Sequence, residues 1–203
     1  MNKRRAAVLW TGGKDCALAL CRASDDGIDI ACLATFYPEG NAHDPFKAHP
    51  LNAMRRIAAS LGFPHELLAV GEQYEADYIR GLRYLRNRHG VDTVVTGDID
   101  LVDGKPNWIR HCCAEAELEA VMPLWQAPRE TLLTELVSRG IAASVSWINS
   151  DHIPREWIGR TIDERFIADI RELALRVPID MSGENGEYHT MVSSVQPASL
   201  PRA

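Results

Sequence analysis

A chain of 203 residues has room for one large domain, or a domain and a smaller companion, and can bury a core without a disulfide or metal staple. Apolar residues make up 46% and charged residues 25%, which excludes a disordered chain, a collagen and a coiled-coil rod. With 22 Lys and Arg against 28 Asp and Glu the net charge is −6, which argues against a general nucleic-acid or anionic-membrane binder.

Five cysteines, Cys16, Cys21, Cys32, Cys112 and Cys113, form no Cys-x-x-Cys pair. An odd count in a chain of this length reads as reduced thiols in a cytoplasmic protein. No apolar run reaches the ~18 residues of a membrane span. The basic start Met1-Asn2-Lys3-Arg4-Arg5 leads only into Ala6–Trp10, too short an apolar stretch for a signal peptide.

Ala6–Trp10 ends at a glycine pair, the pattern of a buried parallel strand. Ala17, Leu18, Leu20 and Cys21 then form a helical stripe, and Ile30–Phe36 reads as a second strand. Leu51, Met54, Ile57, Ala58 and Leu61 share one helix face, stopped by Gly62 and Pro64. Glu66–Val70 predicts a third strand, Tyr78, Leu82 and Leu85 a helix ending at Gly90, and Thr93–Gly97 a fourth strand. This alternation predicts an α/β fold: a doubly wound parallel sheet with helices on both faces.

The second half is less regular. Trp108–Leu118 and Glu130–Val137 read as helices, Ile141–Ile148 as a strand, and Thr161 to Glu164 as a capping box ahead of Phe166, Ile167, Ile170 and Leu173. Gly183-Glu184-Asn185-Gly186-Glu187 reads as a turn into a strand at Tyr188–Val192, and the tail from Gln196 as loose. The expected division is an N-terminal nucleotide unit, residues 1–125, and a smaller C-terminal α+β substrate unit, residues 126–203.

Open α/β sheets bind ligands beyond the carboxyl ends of their strands. Two such ends carry small polar residues here: Thr11-Gly12-Gly13-Lys14-Asp15-Cys16 after strand one and Gly97-Asp98 after strand four. Glycines let backbone N–H groups approach an anion, the following helix start favours negative charge, Lys14 adds a cation and Asp15 a metal-seeking carboxylate. The same residues also suit a tight turn with no ligand. The Walker loop is excluded, because Val8 stands where its first glycine belongs and Asp15 follows Lys14; Gly-x-Gly-x-x-Gly is absent. Asp98, Asp100 and Asp103-Gly104 miss the calcium-loop spacing, with Ile109 at position twelve. His111-Cys112-Cys113 has no second zinc-ligand pair and reads as core packing; Trp108, Trp125, Trp147 and Trp157 read as core or domain-contact residues in preference to a base-stacking platform. Arg155, Arg160, Arg165, Arg171 and Arg176 read as a solvated face, with a patch for an acidic partner as the other option.

The segment Leu9–Cys16 resembles the Ser-Gly-Gly-x-Asp-Ser loop of the N-type ATP pyrophosphatases, within the adenine nucleotide α-hydrolase superfamily of Rossmann-like folds. Gly97-Asp98-Ile99, Met122-Pro123-Leu124-Trp125 and Gly183-Glu184-Asn185-Gly186-Glu187-Tyr188-His189-Thr190 resemble, more narrowly, the diphthine–ammonia ligase (diphthamide synthetase) family and its bacterial relatives. The match runs in order from residue 6 to about 192.

The resemblance implies ATP and Mg²⁺. It implies phosphate held by Thr11 and by the amides of Gly12, Gly13, Lys14 and Asp15, metal held by Asp15, and nucleotide lined by His49, Gly97, Asp98 and Ile99. Cys16 replaces the family's serine and is a weaker hydrogen-bond donor. Lys14, Asp15, Glu184, Asn185 and Glu187 are the implied catalytic residues, with Tyr188 and Thr190 facing the substrate. From the residues themselves, Glu184 and Glu187 suit an ammonium or Mg²⁺ site, while Asn185-Gly186 equally suits a bare hairpin.

The implied reaction adenylates a carboxylate, protein-borne or small, releasing pyrophosphate, and then amidates it with ammonia. The length leaves no room for a glutaminase domain, so free ammonia or a partner supplies the nitrogen. Diphthine ligases act on a modified histidine of elongation factor 2; that substrate is not carried over. Membrane and nucleic-acid partners are not expected, and a homodimer is allowed. The alternatives are a tRNA-thiolating or other adenylating enzyme on the same scaffold, which would want a poised cysteine pair, and a non-catalytic adenine-nucleotide sensor.

Overall fold

A computed structural model of the chain describes residues 3–40, 49–101 and 107–195. The tail from Gln196, the Asp103-Gly104 pair and Met1-Asn2 lie outside them. The first half forms β1 (Arg5–Leu9), α1 (Lys14–Asp25), β2 (Asp29–Pro38), α2 (Leu51–Ser60), β3 (His65–Val70), α3 (Tyr74–His89), β4 (Thr93–Val95), α4 (Trp108–Glu115) and β5 (Glu119–Val121). The second half forms α5 (Arg129–Ser138), β6 (Ala142–Ile148), α6 (Glu164–Ala174) and β7 (Tyr188–Ser194).

The five strands β1–β5 pair in parallel in the order β3-β2-β1-β4-β5. The α/β expectation therefore holds, with one strand more than the sequence predicts. β5 spans only three residues and follows α4 after Glu117, a non-glycine residue in the left-handed region at φ 57°. That reversal ends the helix three residues before the predicted Leu118. Strand order reverses at β1: the chain winds outward to β3, then returns to place β4 on the other side of β1. The β1 and β4 ends therefore open a crevice, the place where such sheets take ligands.

The alternation of β1 sorts the core. Ala6, Val8 and Trp10 pack into a cluster with α1, α2, α5 and α6, while Ala7 and Leu9 face a second cluster with α3 and α4. Cys112 and Cys113 are fully buried in that second cluster, as core packing predicts, whereas His111 is exposed and faces Glu75 at 3.4 Å. The fully buried tryptophan is Trp10, whereas Trp147 is 37% exposed and so is not a core residue. The late arginines are largely engaged in surface ion pairs, Arg160 with Asp169, Arg171 with Glu130 and Arg176 with Glu172.

β6 and β7 pair antiparallel. The capping box is displaced: Asp163, not Thr161, caps α6, accepting from the Phe166 N–H at 2.7 Å, while Thr161 bridges to Ser144. β7 is seated on the first strand's loop, where the Val192 N–H donates to the Gly12 carbonyl at 2.8 Å. The C-terminal half thereby delivers residues 180–190 to the crevice. No helix among the described residues is long and apolar enough to cross a membrane.

Candidate active site

The loop Thr11–Gly13 joins β1 to α1. Gly12 takes φ +75°, and a Cβ there would press on Met54 and Met191 at 3.0 Å. Gly97, at the end of β4, meets this loop more closely still: a Cβ would lie 2.7 Å from the Asp15 carbonyl carbon and the Cys16 nitrogen. Backbone cannot yield as a flexible side chain can. Gly97→Ala is therefore expected to cost about 1–3 kcal/mol, read as a lowered thermal midpoint, because the helix start must shift to admit the methyl group.

Several of the loop's groups are already occupied. The Gly13 N–H donates to Thr11 Oγ1 at 3.4 Å, and the Lys14 N–H to Thr190 Oγ1 at 3.1 Å. Two of the four amides assigned to phosphate thus have protein partners, and an incoming anion would share or displace them. The Cys16 thiol is turned back onto the Gly13 carbonyl at 3.1 Å and receives the Thr11 hydroxyl at 3.7 Å. Burial pushes this thiol up to about 11, so it stays neutral. Lys14 is buried, its ammonium donating to Asp15 Oδ2 at 2.7 Å and the Ser182 carbonyl at 2.6 Å. The Lys14 cation therefore binds the first loop to the last motif, and little of its charge is left for a ligand.

Two cavities meet at the loop. The larger, about 390 Å³, is lined by Leu9, Thr35, Phe36, Tyr74, Tyr78, Thr96, Gly97 and Asp98, among others. The smaller, about 200 Å³, is lined by Gly13, Lys14, His49, Ser182, Gly183, His189 and Thr190, among others. Thr11, Asp15, Cys16 and Glu184 line both. Glu184 stands at the rim with one side in solvent. Crowding by protein, reinforced by the Asp15 charge, pushes its carboxyl up to about 7. Burial and the neighbouring His189 push His49 down to about 4, and burial also lowers His189; the two rings meet edge to face at 5.6 Å.

The predicted site residues divide by place. Thr11, Gly13, Lys14, Asp15, Cys16, His49, Gly97, Asp98, Glu184, Tyr188 and Thr190 line one cavity or both. Ile99 is fully buried, and its carbonyl accepts the Gln126 N–H at 2.6 Å, so it holds the Met122–Trp125 turn instead of facing a cavity. Glu187 is also turned inward. It accepts the Asp180 N–H at 2.6 Å and the Asn185 N–H at 3.0 Å, and Asn185 Nδ2 also reaches it at 3.2 Å. The expected pairing of Glu184 and Glu187 around one cation is not formed, because only Glu184 faces the cavities. Asn185-Gly186 is not a hairpin turn either: β7 pairs with β6, far back in the chain. Tyr188 is buried, donating its hydroxyl to the Met181 carbonyl at 2.6 Å while its ring lies under Lys14 at 5.7 Å.

Sequence reading misses the aromatic wall of the larger cavity. Phe36 stacks on Tyr78 at 3.7 Å, and Trp108 closes behind against Tyr74 and Tyr78 at 5.3 and 4.8 Å. It also misses Arg129, which bridges Asp180 at 2.8 Å and Asp100 at 3.1 Å, tying the 180–187 loop to the β4 loop. The spacing of Tyr74 and Tyr78 at i and i+4 on one helix was the available signal. Cys112 and Cys113 lie in the core and line neither cavity, which removes the cysteine pair a thiolating enzyme would need.

Among the described residues no group of three His, Cys, Asp or Glu could hold a metal ion unaided. A magnesium ion needs only one or two carboxylates when phosphates and water complete its shell. Asp15 and Glu184, on the wall between the cavities, meet that requirement.

A family model described as the diphthamide synthase N-terminal domain matches residues 4–120, and one described as the diphthamide synthase C-terminal domain matches residues 128–196. The chain is 24% identical over 208 residues to a diphthine–ammonia ligase of Danio rerio, covering 92% of this chain and 80% of that protein. The human diphthine–ammonia ligase is likewise 24% identical, with 92% and 77% covered. That of Schizosaccharomyces pombe is 25% identical over 203 residues, covering 91% of this chain and 33% of its own length.

Proposed function

We propose, because this chain belongs to the diphthamide synthase family, that it is an ATP-dependent ligase that converts a carboxylate into an amide with ammonia. The observation that carries this reading is the shared wall: Thr11, Asp15, Cys16 and Glu184 line both cavities, so two reactants held separately meet across one boundary. Residues 1–125 act as the nucleotide unit and 126–203 as the unit that closes over it.

ATP is a substrate here. Its base lies in the larger cavity against Phe36, Tyr74 and Tyr78, whose faces suit an aromatic ring. Its triphosphate lies over the helix start, where free N–H groups and the dipole favour anions. Magnesium, when bound, neutralises phosphate charge, with Asp15 as its ligand. An acceptor carboxylate oxygen attacks the α-phosphorus; the bond to the β-phosphate bridging oxygen breaks and pyrophosphate leaves. Ammonia nitrogen then attacks the acyl carbon, AMP departs with the bonding pair, and one proton is released. The protein's task is to fix these groups in line and exclude competing water. Its relatives' name gives diphthine as acceptor; for this chain the acceptor is a carboxylate of that kind, protein-borne or small.

The test uses [α-³²P]ATP, Mg²⁺ and ammonium with a diphthine-bearing protein and a panel of carboxylates. AMP and pyrophosphate are expected in equal amounts, dependent on the acceptor. ADP as product would overturn attack at the α-phosphorus, and tight ATP binding without turnover would make the protein a nucleotide sensor.

A further inference from the structure

Resting on the ligase reading, we infer that Ser182 is a phosphate-binding residue: its hydroxyl donates to the pyrophosphate end of ATP in the smaller cavity and stands in for the donor that Cys16 withholds. The carrying observation is a buried hydroxyl without a partner. Ser182 is 2% exposed and lines the smaller cavity, yet its Oγ has no hydrogen-bond partner among the described residues. His49 Nδ1 is a second buried polar atom unpaired among the described residues, on a side chain lining the same cavity. Buried polar atoms are nearly always satisfied, so two of them at one cavity point to a ligand that meets them. A volume of about 200 Å³ is far more than one bridging water needs.

The place of that hydroxyl decides what it meets. The Ser182 carbonyl accepts from the Lys14 ammonium at 2.6 Å, so residue 182 stands beside the cation of the first loop. Its N–H donates to Asp180 Oδ1 at 2.7 Å, and Arg129 holds Asp180 at 2.8 Å, so the backbone that carries the hydroxyl is fixed before a ligand arrives. The triphosphate of the ligase reading runs across Gly13 and Lys14, the helix-start residues that line this cavity. The loop's own side-chain donors are turned inward. Cys16 gives its thiol to the Gly13 carbonyl at 3.1 Å, and the Thr11 hydroxyl donates to the Cys16 sulfur at 3.7 Å. The Lys14 ammonium is shared between Asp15 and the Ser182 carbonyl. A hydroxyl is a stronger donor than a thiol. Position 16, where the resembled loop has serine, thus lacks a hydroxyl here, and position 182 has one to give on the same cavity. The acidic groups Asp15 and Glu184 stand on the wall shared with the larger cavity, the side that magnesium takes in the ligase reading.

The experiment titrates the full chain by calorimetry with pyrophosphate, ATP and AMP, each with Mg²⁺, in the parent, Ser182→Ala, Cys16→Ser and the double variant. Ser182→Ala should weaken pyrophosphate and ATP by about ten-fold or more, the worth of one hydrogen bond to a charged group, and leave AMP unchanged. Its ligand-free thermal midpoint should not fall, because an unpartnered hydroxyl contributes nothing to the fold. Cys16→Ser should recover most of the loss in the Ser182→Ala background and gain less in the parent, the non-additivity expected of two donors to one phosphate chain. Unchanged pyrophosphate affinity in Ser182→Ala, an equal loss for AMP, or a lowered ligand-free midpoint overturns the assignment. Additive effects overturn the exchange with Cys16. The ligase reading fails separately: ADP as product, or no acceptor-dependent turnover, sinks it, while loss of pyrophosphate binding in Ser182→Ala leaves this site standing. A parent that binds neither ATP nor pyrophosphate overturns both.

Discussion

Asp15→Asn should fold near normally and form AMP at least a hundred-fold more slowly than the parent. Asparagine keeps an oxygen that can accept from the Lys14 ammonium, so the 2.7 Å bond survives in weakened form. It loses the negative charge, and with it the ligand that magnesium seeks beside the phosphates. Asp15→Ala should do more. Lys14 is buried, and its ammonium would be left on the Ser182 carbonyl. Removing one partner of a buried ion pair costs about 3–5 kcal/mol; Asp15 is a quarter exposed, which puts the loss near the lower figure. The two variants together separate roles. Thermal melts with and without ATP and Mg²⁺ should show ligand stabilisation lost in both, and loss of intrinsic stability chiefly in the alanine variant. Full turnover in Asp15→Asn would place the metal elsewhere.

The parts of this site that are contiguous in the chain are legible in its sequence. Thr11–Cys16 sits between an apolar run and a helical stripe, and the physics of a glycine turn at a helix start needs no partner to be recognised. Gly97 is legible as a strand-end glycine, but its purpose, to let β4 approach the Asp15 backbone, depends on strand order. The sheet's reversal at β1 brings those two ends together, and nothing in the local sequence of either states it. The aromatic wall is hidden for the same reason: Phe36, Tyr78 and Trp108 come from β2, α3 and α4, and stacking brings them together only after folding.

Glu187 illustrates a different limit. Two glutamates three apart around a glycine read as converging carboxylates. The chain reverses through Gly186 at φ +82°, and Glu187 folds back onto the amides of Asp180 and Asn185. Its oxygens shape the loop that presents Glu184. β5 is hidden because three residues carry too little periodicity to register, and Thr161 resembles a cap because it stands two residues before Asp163, which fits the same role. Side-chain type and spacing thus name the candidate groups, while the direction each one faces is set by backbone turns the spacing does not encode.

Glu184→Gln tests the group left facing both cavities. If the carboxylate takes a proton from ammonium, the ion becomes neutral ammonia with a free lone pair, and the carboxyl group is left protonated. Such proton transfer contributes about 10²–10⁴-fold, so amide formation in Glu184→Gln should fall by that order at neutral pH. The carboxyl is raised from its ordinary 4.5 to about 7, so the parent's rate should climb as pH rises through 7. Below that range the group is protonated and cannot accept. The glutamine variant should lose this limb and keep a flat remainder. Stability moves in the opposite sense. A carboxyl whose folded value is raised favours the folded state below about 4.5, and that contribution is lost as pH rises through about 7. Glutamine carries no such dependence. The variant should therefore melt higher than the parent at pH 8 and converge with it at pH 5. A purely structural Glu184 would show the stability crossover with an unaltered rate profile. Loss of the rate limb together with the crossover ties the proton transfer to this one side chain.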